Sequence, residues 1–153
     1  MGETEKRLME LGIVLPDSPA PLANYVSVQR ADNILYLSGS GPISAGRPTI
    51  TGRLGENVTL EQGYAAAREA GLNLIATLKK ELGELDRVEQ IVKLLGFVSS
   101  TNDFYAQPAV INGASDLLVE VFGARGQHAR SALGTNVLPF NIPVEVEIVV
   151  KVR

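Results

Sequence analysis

The sequence contains no cysteine. That absence excludes disulfides, thiolate nucleophiles, Cys-based zinc sites and iron–sulfur clusters together. Histidine occurs once, as His128, which removes multi-histidine metal sites and HExxH chemistry. No run of about 18 apolar residues is present, so no membrane-spanning helix is expected. An excess of one charge is lacking too. Fourteen Lys and Arg stand against 17 Asp and Glu, a net charge of −3, and no long run of either sign offers nucleic acid a footprint. The opening MGETEKRLMELG is charged where a signal peptide needs an apolar core, so a cytoplasmic location is expected. What remains is 153 residues, 45% apolar and 20% charged, the composition of a single globular domain with one continuous core.

The first dozen residues have the spacing of a short amphipathic helix, with Leu8, Met9 and Leu11 on one side and Gly12 as its stop. Pro16, Pro19 and Pro21 then impose a stiff connector that holds this piece against the body. Residues 1–22 therefore read as a helix and Pro-rich extension, and residues 23–153 as the domain proper. From Tyr25 to Arg30 the pattern alternates, Val26 and Val28 facing one way and Tyr25, Ser27 and Gln29 the other. Ala31-Asp32-Asn33 supplies a turn and Ile34–Leu37 returns, which predicts a β-hairpin over residues 25–38. Glycines and prolines punctuate residues 39–58, a long loop with one short strand expected near Thr49–Thr51.

Thr59 with Gln62 three residues on forms a capping box. Behind it Leu60, Tyr64, Ala67, Gly71, Leu74, Leu78 and Leu82 make one helical face, closed by Gly83. Gly71 on that face would let another backbone come close. Residues 91–98 (IVKLLGFV) are nearly all apolar, the pattern of a central strand covered on both sides. A second helix opens near Pro108 and buries Val110, Ile111, Ala114, Leu117, Leu118, Val121 and Phe122 before Gly123 ends it. Ser131–Val137 is a further strand, ended by Leu138-Pro139. The last strand alternates Val144, Val146, Ile148, Val150 and Val152 against Glu145, Glu147, Lys151 and Arg153. Hairpin, helix, strand, helix, strand, strand suits a two-layer α/β sandwich, with two main helices on one face of a mixed β-sheet.

One glycine-rich segment invites two motif readings and fits neither. Ser38-Gly39-Ser40-Gly41-Pro42 lacks GxGxxG spacing and runs into a loop instead of opening a helix, so no dinucleotide fits. Ser40 lacks the GxSxG elbow, and nothing in the sequence fixes the orientation of His128 as its base. Chemical potential concentrates in three residues. Glu145 and Glu147, two apart on a strand, project from one face about 7 Å apart, either to solvent, to a subunit interface or into a pocket. Arg130 reads either as a surface ion-pair partner or, as its small and apolar neighbours favour, as a partly enclosed guanidinium suited to gripping a carboxylate with two parallel bonds. Arg125 is expected to be solvated.

The body of the chain, from about Ala23 to Arg153, resembles the RidA/YjgF (reactive intermediate deaminase A) family. The resemblance rests on Ala23-Asn24-Tyr25-Val26, Leu37-Ser38-Gly39, Asn102-Asp103-Phe104, Ala129-Arg130-Ser131, and Leu138-Pro139 followed by Val144-Glu145-Val146-Glu147, all in order. It implies a chorismate-mutase-like sandwich, usually a homotrimer with sites between subunits. The implied activity is hydrolysis of 2-imino acids and their enamine tautomers to 2-oxo acids and ammonia. Arg130 would clamp the substrate carboxylate, Glu145 would activate the water, and Tyr25, Ser38 and Asn112 would line the pocket. An imine carbon is already electrophilic, so no metal or organic cofactor is required.

The sequence departs from the family pattern at Asn24 and His128, where proline is usual, and at Ser40, which replaces a common glutamine. The N-terminal 20 residues are extra, and the second helix region is longer by about two turns. His128 is expected to be an ordinary polar residue in a loop. Because relatives of this fold include proteins without deaminase activity, a regulatory binder of small carboxylates is the alternative. An endoribonuclease is disfavoured by the acidic net charge and the lack of an aromatic and basic surface. Membranes and nucleic acid are not expected partners.

Overall fold

Backbone patterning builds the elements largely where the residues call for them. The computed structural model describes residues 1–153. After helix α1 (Glu3–Glu10), strands β1 (Val28–Ala31) and β2 (Ile34–Leu37) form the hairpin. Its turn is possible because Asp32 takes the left-handed φ of 53° that short polar residues tolerate. The hairpin is shorter than expected: residues 25–27 are irregular, and Val26 is exposed. The expected strand near Thr49–Thr51 is absent. The loop instead closes a two-residue ladder of β3 (Ile43–Ser44) with β4 (Arg47–Pro48), turned by Ala45 and Gly46 at positive φ.

Helix α2 (Leu60–Leu82) starts on the anticipated capping box, with Gln62 N donating to Thr59 Oγ1 at 3.1 Å and Thr59 N donating back to Gln62 Oε1 at 2.9 Å. Strand β5 (Val88–Ser99), helix α3 (Gln107–Phe122), strand β6 (Ala129–Thr135) and strand β7 (Val144–Val152) complete the chain. The five-stranded sheet runs β1-β2-β7-β5-β6, parallel only between β5 and β6, where α3 makes the crossover. All seven expected stripe residues of α3 are buried. Gly71 and Gly113 bring α2 and α3 together. A Cβ on Gly71 would lie 2.9 Å from Leu117 Cδ2, and one on Gly113 would collide with the Tyr64 carbonyl.

Both helices cover the same face of the sheet, so the core has one side only. Leu94, Val98, Val144, Val146 and Ile148 are fully or almost fully buried beneath them. β5 was expected to be covered on both faces, and here the structure differs. Leu95 and Phe97 point away from the helices and stay part-exposed. They share rows on this open face with their register partners: Leu133, Phe97 and Glu145 in one, Ser131, Leu95 and Glu147 in the next. Leu133 is 48% exposed. The near-continuous apolar run of β5 thus arises from one core face and one apolar face that nothing in the single chain covers. No helix is long and apolar enough to cross a membrane.

Two smaller expectations are corrected. Met9 is exposed whereas Leu8 enters the core, because the helix contacts the body along a narrow line. Arg125 is not solvated. Its guanidinium lies 5.5 Å from the Phe122 ring centroid, and it donates to Val88 O and to Thr4 Oγ1.

Candidate functional site

The residues singled out from the sequence fall into two groups. Arg130 sits on edge strand β6 opposite Leu94, so its side chain takes the helix side of the sheet. There it leans on α3: Nη1 donates to Asn112 Oδ1 at 2.8 Å and to Ser115 Oγ at 3.1 Å, and Nη2 to Pro108 O at 3.4 Å. Asn112 and Ser115 are three apart on the helix and therefore share a face. No protein acceptor meets Nε. The guanidinium is part-exposed, and its remaining donors are available to an anion.

The second group lies at the β2–β7 end of the sheet. Ser40 extends β2 by pairing with Val146, its N–H and C=O each at 2.8 Å from their partners. This lays Gly39 beside Glu145, where the missing side chain leaves room: a Cβ there would be 2.9 Å from Glu145 Cδ. Glu145 is part-buried, and no protein group donates to its carboxylate. Burial, reinforced by the neighbouring charge of Glu147, pushes its pKa above the ordinary carboxylate value. A carboxylate so placed holds a proton more readily, the property of a group that takes and returns one.

Glu145 opens into a cavity of about 510 Å³ lined also by Tyr25, Ser40, Asn73, Phe140 and the strap from Pro16 to Leu22. Tyr25 and Ser38 meet in an adjoining small recess with Gly39 and Ser40. Ser38 also has a structural duty, its Oγ donating to Val26 O at 2.6 Å. The strap is positioned by α1, which the body anchors: Asp86 accepts from the Glu3 and Thr4 N–H groups, and Glu5 from Lys79 and Leu85 N.

Within one chain the two groups do not meet. Arg130 and Glu145 are separated by two strand spacings and three residues of rise, roughly 14 Å at the backbone, and they take opposite faces of the sheet. The cavity holding Glu145 and Tyr25 has neither Arg130 nor Asn112 in its wall. No three His, Cys, Asp or Glu side chains converge to hold a metal ion.

Sequence reasoning missed Ser115 and undervalued His128. His128 Nε2 lies 2.9 Å from Ser115 Oγ, and His128 Nδ1 is 2.6 Å from Gly126 O. The ring that seemed unconstrained is held at both nitrogens. The i, i+3 spacing of Asn112 and Ser115 was the available signal, but only the fold brings β6 beneath it.

Residues 5–151 match the family described as "YjgF/chorismate_mutase-like, putative endoribonuclease". "Protein TCP17" of Trypanosoma cruzi is 43% identical over 153 residues, covering 99% of this chain and 96% of its own. A crystal structure of a protein of unknown function from Agrobacterium tumefaciens is 40% identical with a TM-score of 0.91, covering 98% of this chain and 92% of that one. A crystal structure titled a putative endoribonuclease from Shewanella oneidensis is 37% identical, with a TM-score of 0.94 over 99% of this chain and 100% of that one.

Proposed function

Since the chain belongs to the YjgF/chorismate-mutase-like family, the RidA/YjgF family that its motifs resemble, we propose that it hydrolyses 2-imino acids and their enamine tautomers to 2-oxo acids and ammonia. The observation that carries this reading is Arg130. Its guanidinium is braced by Asn112 and Ser115, with Nε and part of Nη2 left for a ligand carboxylate. Glu145 supplies the complementary group, a part-buried carboxylate with a raised pKa and no donor of its own.

In the proposed reaction Arg130 binds the substrate carboxylate and so fixes C2 of the protonated imine. Glu145 takes a proton from a water as its oxygen bonds to C2, and the C=N pair moves to nitrogen. The resulting carbinolamine receives that proton on nitrogen. The Glu145 carboxylate then takes the hydroxyl proton as the C–N bond breaks, so that ammonia leaves and C2 becomes a ketone, and that proton passes on to the ammonia to give ammonium. One water is consumed and no electrons are exchanged, so no redox cofactor enters. Tyr25 and Ser38 line the approach beside Glu145, and Asn112 beside Arg130.

The opposed placement of the two groups makes the reading an oligomeric one. We propose a homotrimer in which the Arg130 side of one protomer meets the Glu145 cavity of the next. The part-apolar open sheet face carrying Leu95, Phe97 and Leu133 supports such burial.

The test is a coupled assay in which a pyridoxal-phosphate dehydratase releases 2-aminoacrylate or 2-iminobutanoate. Two charge-assisted bonds of about 1.5–3 kcal/mol each stand behind Arg130, so Arg130→Ala should lower kcat/KM by roughly 10²–10⁴-fold. Undiminished rates in that variant reject the assignment. Tight 2-oxo acid binding without imine turnover would instead favour a small-carboxylate-binding regulator. RNA cleavage that copurifies with the protein and is lost in Glu145→Gln would favour the nuclease description.

A further inference from the structure

The contacts behind Arg130 form a directed chain. The carbonyl of Gly126 can only accept, so His128 Nδ1 donates to it at 2.6 Å. In the neutral ring that tautomer leaves Nε2 as an acceptor, and Ser115 Oγ, 2.9 Å away, gives its one proton there. The Ser115 oxygen is then committed as an acceptor, and Arg130 Nη1 donates to it at 3.1 Å. Its other Nη1 proton goes to Asn112 Oδ1 at 2.8 Å. Nη1 is thereby fully occupied by α3, one Nη2 proton reaches Pro108 O at 3.4 Å, and Nε with the second Nη2 proton is left as the ligand-facing edge. That edge carries two parallel N–H groups, the arrangement that pairs with a carboxylate.

We propose that Ser115 and His128 are positioning residues which select carboxylate ligands by holding the Nε–Nη2 edge of Arg130 free and outward. This rests on the anion-clamp role of Arg130 in the proposed function but extends it to two residues that touch no substrate. A hydroxyl free to rotate offers a guanidinium either a proton or a lone pair. His128 removes that choice, so Arg130 always meets an acceptor. The geometry also separates this role from a Ser–His nucleophile. Ser115 is part-buried, and its lone pair already receives a charge-assisted bond, which draws electron density away from the oxygen.

The experiment measures 2-oxobutanoate and its neutral amide binding to the full-length protein by calorimetry, beside imine turnover in the coupled assay. Ser115→Ala should raise the Kd for 2-oxobutanoate and the KM for the imino acid about tenfold, with kcat within about twofold and amide binding unchanged. Ser115→Thr, which restores the hydroxyl, should recover most of that loss. His128→Ala should act through the same step, so that adding it to Ser115→Ala brings no further loss. Thermal midpoints confirm that each variant is folded.

Equal losses for acid and amide, additive losses in the double variant, or unchanged carboxylate binding would each overturn the proposal. So would stoichiometric labelling of Ser115 by a fluorophosphonate, which marks a nucleophile. If the wild type binds 2-oxobutanoate but turns over no imine, the deaminase reading fails while the Kd series still decides the positioning role. If it binds no small carboxylate at all, both fall.

Discussion

Helix α1 has no cap of its own. Gly2 stands at its N-cap without a side chain to accept its free N–H groups. Asp86, far along the chain, does it instead: Oδ2 accepts from Glu3 N at 2.9 Å, and Oδ1 from Thr4 N at 2.9 Å and Thr4 Oγ1 at 2.6 Å. The Thr4 hydroxyl bond above all, then the Thr4 backbone N–H, holds the Asp86 carboxyl at about 2, against an ordinary 3.8. A shift of that size corresponds to at most about 2.4 kcal/mol at 1.36 kcal/mol per unit. Asp86 is part-exposed, and solvent screening brings the figure to about 1 kcal/mol, within the range of a capping residue. Asp86→Asn keeps the shape but loses the charge and turns one acceptor into a donor. Hydrogen exchange of the Glu3–Glu10 amides at neutral pH should therefore accelerate about fivefold. Because the folded pKa is depressed, the contribution is present above about pH 4 and disappears as pH falls through about 2. In the wild type the Glu3 and Thr4 amide resonances should move with that midpoint. Exchange identical to wild type in Asp86→Asn would refute the reasoning. The consequence reaches the site, since α1 anchors the strap that walls the Glu145 cavity.

Three further outcomes are expected. Glu145 has a raised folded pKa, so its ionisation disfavours the fold, and the stability it lends below about pH 4 is lost as pH rises through the folded value. Glu145→Gln should therefore raise the thermal midpoint at neutral pH while abolishing imine hydrolysis, the midpoint difference shrinking under acid in calorimetric scans. Gly113→Ala would push a methyl against the Tyr64 carbonyl and part α2 from α3. Overpacking of this kind costs about 1–3 kcal/mol, a midpoint loss of roughly 3–10 °C by circular dichroism. Leu133→Asp places a charge on the open face beside Phe97, at the β6 edge of the sheet. Sedimentation should show dissociation of the proposed trimer with the fold retained, and an unchanged sedimentation coefficient would count against this face as the seam.

Much of the fold was legible because its signals are local. The Thr59 capping box, the apolar stripes of α2 and α3 and the alternation of β7 each depend on residues within a few positions of one another. The ladder at Ile43–Pro48 was not, since loop strands this short are set by turn geometry at Ala45 and Gly46 rather than by side-chain pattern. β5 misled for another reason. An apolar run does not say what covers each face, and here only one face meets helices.

The sequence alone determined that the chain has one core, no thiol or multi-histidine chemistry, and a guanidinium and a carboxylate in the contexts that mark its family. Only the tertiary structure decided that Arg130 and Glu145 lie on opposite faces of the sheet, and that Ser115 and His128 stand behind the arginine. The physical reason is register. Which residue of β6 lies beside which residue of β5, and therefore which face it takes, is fixed by long-range pairing that no local pattern encodes.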